Sequence, residues 1–311
     1  MSRGVLLMAY GTPESPDHVE AYFTHIRGGR APSDEAVHRL QRRYQLVGGR
    51  TPLLDITNGV RDALERELNA RGSARHRVYV GMKHWHPFIG DVVPHMVADG
   101  VTEAVALALA PHYSRISIGG YRQALDAALA GMAHPPSIRF INSWHVHDGF
   151  IDLIAERVIE ALGLWAMSRR AQVVTVFSAH SLPERIREWD DPYEQQLLES
   201  CKAVAERAGI TNWHFAWQSA GETGEKWLGP DICDALETIH DAGSRYVLSV
   251  PIGFVSDHLE ILYDIDYEAK RKAASLGMTL RRTRMPNADP AFVNVLASVV
   301  TGATSAAALA S

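Results

Sequence analysis

Apolar residues along this chain gather in short, nearly unbroken runs instead of alternating with polar ones. The runs fall at 5–10 (VLLMAY), 77–82 (RVYVGM), 104–110 (AVALALA), 138–144 (IRFINSW), 172–179 (QVVTVFSA), 213–218 (WHFAWQ), 245–251 (RYVLSVP) and 279–284 (TLRRTR). Between them lie stretches with apolar positions three and four apart, such as 60–71 (VRDALERELNAR) and 230–243 (PDICDALETIHDAG). Strands buried on both faces read as continuous apolar runs, and helices between successive strands make those strands parallel. The pattern predicts an α/β fold with doubly wound sheets.

The predicted strands divide into two sets of four, and the two halves echo each other. MAYGTP (8–13) stands against SAHSLP (178–183), and DGVTEAVALALAP (99–111) against DAGSRYVLSVP (241–251), each of the latter stopping a helix at glycine before a core strand. This points to a duplicated unit, with domains over 1–145 and 146–285 and two sheets facing across a cleft. The first half carries an insertion after its first strand, over about 11–58, rich in arginine, glycine and aromatic residues. Ligands of open α/β sheets bind beyond the carboxyl ends of the strands, so this insertion is expected to overhang the site.

Bulk properties narrow the chemistry. With 311 residues and 46% hydrophobic content the chain has ample core, and a net charge of -5 argues against a nucleic-acid partner. Its two cysteines, Cys201 and Cys233, allow neither a disulfide framework nor a four-cysteine iron–sulfur cluster, and both read as buried small apolar residues. The longest apolar run falls far short of a membrane span, and no export signal is legible, so a cytoplasmic protein without membrane attachment is expected.

Three features collect at the predicted strand exits. Tyr10 and His180 occupy matched exits of the two halves. GFVSDHLEILYDIDYEAK (253–270) follows the seventh strand and repeats Glu260, Asp264 and Glu268 at i, i+4 and i+8, on one face of a helix. Apolar residues interleave with this stripe, so part of it is buried, and buried carboxylates require protons, cations or metal as partners. An imidazole beside a carboxylate suits a borderline divalent metal such as Fe²⁺, or a base acting on a weak N–H acid. GMKHWHPF (81–88) adds Lys83, His84 and His86. A Ser-His hydrolase is disfavoured: no G-x-S-x-G elbow occurs, and Ser178 and Ser181 are too close in sequence to His180 to face its ring. Phosphate-binding glycine loops and H-E-x-x-H are also absent.

SAHSLPERI (178–186), WQSAG with WLGPD (217–221, 227–231) and GFVSDHLEILYDIDYE (253–268) together resemble the signatures of ferrochelatases, which insert ferrous iron into porphyrins. The resemblance runs from LLMAYGTP to MPNADPAF and looks like the coproporphyrin III branch of Gram-positive bacteria. It implies two Rossmann-like domains, each a four-stranded parallel sheet flanked by helices, with 286–311 a C-terminal helix returning to the first. It implies that His180 and Glu260 face each other at the porphyrin as catalytic and metal-binding residues. Tyr10 would be axial to the product iron, and Arg27, Arg43, Tyr44, Thr51 and Tyr121 would contact the porphyrin, chiefly its propionates. Asp264 and Glu268, with Arg43, would form an accessory outer metal site, and Lys83 with His84 a second metal-accepting pair. His86 stands where a relative has an acid.

The partners so implied are coproporphyrin III and ferrous iron as substrates, with no permanent cofactor and only transient contacts with neighbouring haem-pathway enzymes. Two other readings compete: a non-catalytic porphyrin or haem carrier, which leaves His180 and the Glu260 stripe unexplained, and a chelatase for another tetrapyrrole or metal.

Overall fold

A computed structural model describes residues 3–72, 74–221 and 223–308. Its contacts divide the chain into two compact units, one running to Trp144 and resuming at Asn287, the other spanning His145–Pro286.

Each unit is built on one all-parallel sheet of four strands. The first holds β1 (Arg3–Ala9), β2 (His76–Met82), β3 (Glu103–Ala108) and β4 (Ser137–Ile141) in the order β2-β1-β3-β4. The second holds β5 (Val173–His180), β6 (Trp213–Gln218), β7 (Tyr246–Val250) and β8 (Thr279–Arg282) in the order β6-β5-β7-β8. The identical order confirms the two-fold echo in the sequence. Helices cover both faces, which is why Val5–Met8 of β1 and Val176 and Phe177 of β5 are fully buried. The chain ends its helices before β3 and β7 at left-handed glycines, Gly100 and Gly243, with φ of +79° and +93°.

That strand order positions the site. The chain leaves β1 towards β2 on one side and returns to β3 on the other, and it does the same around β5. The order reverses at the carboxyl ends of β1–β3 and β5–β7, where neighbouring loops separate and leave room for a ligand. Tyr10 directly follows β1, His180 is the last residue of β5, and the segment carrying Glu260 follows β7.

The insertion after β1 forms helices Val19–Ile26 and Asp34–Leu46 and leads into Leu53–Arg71. Ser33 caps the second of these by accepting from the Ala36 N–H at 3.3 Å. The C-terminal helix Pro290–Ala308 belongs to the first unit; it packs on Leu53–Arg71, and Arg71 donates to Asn294 Oδ1 at 2.9 Å.

The segment after β7 departs from the α-winding that its periodicity suggests. Glu260–Ala269 is a π-helix, continued by the α-helix Lys270–Ser275, and the Lys270 N–H reaches back to the Ile265 carbonyl. Ile261, Ile265, Ala269 and Ala273 form its fully buried edge in the core with Val174, Val176 and Val247. Glu260, Asp264 and Glu268 each precede a member of that edge, so the acidic stripe emerges along the margin of the core.

Gly253 lets this segment approach β5. Its N–H donates to the Ser178 carbonyl at 3.2 Å, and a Cβ at this position would lie 2.6 Å from Ala179 Cβ and 2.9 Å from its Cα. Gly253→Ala is therefore expected to destabilise the protein by about 1–3 kcal/mol through overpacking. A urea melt with an unchanged midpoint would contradict this close approach.

Candidate functional site

In the second unit, β5 delivers His180 and the loop after β7 delivers Glu260. His180 Nδ1 lies 2.5 Å from the Ser181 carbonyl oxygen, which only accepts, so Nδ1 carries a hydrogen and the neutral ring keeps its lone pair on Nε2. That Nε2 faces Glu260 Oε1 at 3.7 Å. The Tyr193 hydroxyl steadies the strand end by donating to the His180 carbonyl at 3.1 Å.

Glu260 has a second imidazole partner. Its Oε2 lies 2.5 Å from His258 Nε2, and His258 Nδ1 donates to the Ser256 carbonyl at 2.8 Å. Burial pushes His258 towards the neutral form, but the Glu260 carboxylate outweighs it and raises the imidazole above its ordinary value. Glu260 thus sits between His258 on one oxygen and His180 Nε2 near the other.

The acidic stripe forms a gradient of exposure: Glu260 half-buried, Asp264 buried, Glu268 exposed. Asp264 accepts from the hydroxyl of Ser219, a residue held at φ +61° at the exit of β6. Arg282 of β8 ties the loop to the π-helix, donating to Asp257 Oδ1 at 2.8 Å and to Asp266 Oδ2 at 2.8 and 3.0 Å. Burial favours protonation of Asp266, but Arg282 and Lys270 outweigh it and hold the carboxyl below its ordinary range. Asp257 directly precedes His258, so the clamp restrains the backbone bearing both His258 and Glu260.

In the first unit, Tyr10 is 40% exposed, its ring centroid 4.6 Å from that of His84. Its carbonyl accepts from the His84 N–H at 2.9 Å. His84 Nδ1 meets His25 Nδ1 at 3.2 Å, and burial, then the Lys83 and His25 charges, push the His84 imidazole down to about 3. Lys83 Nζ sits 5.4 Å from the centroid of the buried Tyr121 ring, and burial lowers its pKa as well. Tyr44 and Thr51 are only 2% and 5% exposed, and both hydroxyls meet Thr12 Oγ1, at 3.2 and 2.9 Å. Arg27 is exposed, its guanidinium 5.8 Å from the Phe23 ring centroid, and Arg43 is half-buried. His86 is exposed.

The structure thus joins His180 to Glu260, Tyr10 to His84, Tyr121 to Lys83, and Tyr44 to Thr51. Glu268 points outward, beyond the buried Asp264. Sequence reasoning missed His258, Ser219 and Thr12. His258 had a legible signal in its place two residues before Glu260 in SDHLE, whereas Thr12 and Ser219 had none beyond a hydroxyl beside a strand exit.

Because the folded pKa of His258 lies above the unfolded 6.5, its pairing stabilises the protein fully below pH 6.5 and fades as pH rises through the folded value. In Glu260→Gln the two largest raising influences go, leaving burial against the weaker pull of the Ser256 carbonyl and Asp264, and the His258 pKa is expected to fall. A histidine-resolved NMR titration measures this directly; an unchanged value in the variant would show that Glu260 is not the cause.

Comparison with known proteins identifies the family. The ferrochelatase family model matches residues 2–304. A ferrochelatase from Herpetosiphon aurantiacus is 52% identical over 298 residues, covering 96% of this chain and 98% of that one. Coproporphyrin III ferrochelatases from a Geobacillus species and from Bacillus subtilis are 44% and 42% identical, each alignment covering 96% of both chains. Among solved structures, SirB from Bacillus subtilis with Fe³⁺ shares the fold, with a TM-score of 0.59 at 10% identity over 98% of each chain. With the family pattern running nearly end to end and the strand exits furnished as described, the chain belongs to the ferrochelatase family.

Proposed function

We propose that this lyase inserts ferrous iron into coproporphyrin III, giving iron-coproporphyrin III in haem biosynthesis. The observation that carries the reading is His180 Nε2 facing Glu260, whose other oxygen already holds His258.

The chemistry demands such a group. A free-base porphyrin carries two pyrrole protons, and its nitrogen lone pairs lie in the plane of the ring. Iron entry forms Fe–N bonds as those N–H bonds break, and both protons must leave. Binding energy from the propionates, spent on bending the macrocycle, exposes the lone pairs and brings the substrate towards the transition state. His180 Nε2 accepts one pyrrole proton or meets the incoming metal, and Glu260 accepts a pyrrole proton, so that both protons leave towards solvent along the acidic stripe. A carboxylate already paired with His258 is held in place, and it passes charge on without swinging into solvent. Asp264 and then the exposed Glu268 continue the acidic path outward and make up the accessory metal site.

Tyr10, at the equivalent exit of the other unit, is the axial ligand of the product iron, its ring supported by His84. Arg27 and Arg43 recognise propionates, with Tyr44, Thr51 and Tyr121 shaping the wall behind them. Coproporphyrin carries more propionates than protoporphyrin, so an arginine-rich insertion favours it. The relatives named coproporphyrin III ferrochelatases support this choice of substrate. No described helix is long and apolar enough to cross a membrane. On this reading the protein works in the cytoplasm without a permanent cofactor, in transient contact with neighbouring haem-pathway enzymes.

Incubated without oxygen with Fe²⁺, the protein should metallate coproporphyrin III much faster than protoporphyrin IX. Equal or reversed rates would refute the substrate assignment. His180→Ala should lower turnover by at least about 10²-fold while porphyrin binding stays within a few-fold. Full activity in that variant would remove His180 from the mechanism.

A further inference from the structure

Gln218 ends β6 directly across the ladder from His180, and it is fully buried. Its backbone carbonyl accepts from the Ser181 N–H at 2.7 Å, fixing the residue after His180. Its side-chain oxygen accepts from the Ser178 hydroxyl at 2.9 Å, two residues before His180. Its side-chain amide donates to the Glu260 carbonyl at 3.0 Å. One residue therefore holds the strand that carries the imidazole and the backbone that carries the carboxylate.

From these contacts we infer that Gln218 is a positioning residue that sets the distance between His180 Nε2 and Glu260. The orientation of its amide is fixed by chemistry. The Glu260 carbonyl only accepts, so it must face the amide nitrogen; the amide oxygen then turns to Ser178, whose hydroxyl donates to it and holds the amide in that orientation. The same bond inserts a side chain at the start of the π-helix, a recognised cause of departure from α-winding. Gln218 touches no reacting atom in this scheme; it acts through Glu260. Ser178 acts one step further back, by orienting the amide.

The inference rests on the iron-insertion reading, and the two fail separately. Wild-type protein that leaves the porphyrin unmetallated sinks the reading whatever Gln218 does. Given an active wild type, Gln218→Met keeps the bulk and removes both side-chain bonds. A displacement near 1 Å at a reacting group costs about 10²-fold, so kcat should fall between about 10- and 100-fold while the porphyrin KM stays within about 3-fold. In a Glu260→Gln background the same substitution should change the residual single-turnover rate by less than about 2-fold, since the group it positions is gone. A loss of equal size in both backgrounds would overturn the inference, as would an unaltered kcat. Ser178→Ala provides a gentler version that keeps Gln218 in place: a smaller kcat loss, again silent beside Glu260→Gln, is expected, and a loss that persists there would also overturn it.

Discussion

Glu260 shares its carboxylate between two imidazoles, and both of those rings are anchored through Nδ1 to backbone carbonyls. The anchoring matters because it removes the choice of tautomer: each Nε2 must face the carboxylate. One imidazole is close enough to pair with Glu260 and is raised by it; the other stands 3.7 Å away with its lone pair open. The asymmetry leaves one oxygen of Glu260 held by His258 and the other turned towards His180.

The fold makes this arrangement inexpensive in sequence. Parallel strands of identical order place β5 and β7 side by side at the point where the chain reverses direction across the sheet. The end of one strand and the loop after the next are then neighbours without any long excursion. Gly253 allows the loop to lie against Ala179, Arg282 clamps the loop to the π-helix, and the helix buries its isoleucines while leaving its acids at the margin. Stability and chemistry use adjacent residues of one segment, and for that reason its acidic positions repeat in step with its apolar ones.

Much of the fold was legible in the sequence because strands buried on both faces leave long apolar runs. The ends were less so. The run 138–144 extends past β4, which ends at Ile141, because Trp144 is apolar for a different reason: it is buried, and its indole N–H donates to the Ala108 carbonyl at the end of β3. His180 and Glu260 were legible from residue type at strand exits and from the family resemblance. The π-winding was not, since spacing by four suits either helix. The service of Gln218 depends on which strands lie side by side, and the inward-facing hydroxyls of Tyr44 and Thr51 depend on Thr12, a partner distant in the chain.

The most direct test of the central arrangement is the ¹⁵N spectrum of the His180 ring at neutral pH. The expected result is that the neutral ring is the Nδ1–H tautomer, as the bond to the Ser181 carbonyl requires. A protonated Nε2 beside a bare Nδ1 would mean that the nitrogen facing Glu260 has no lone pair to offer, and would contradict the role given to the pair.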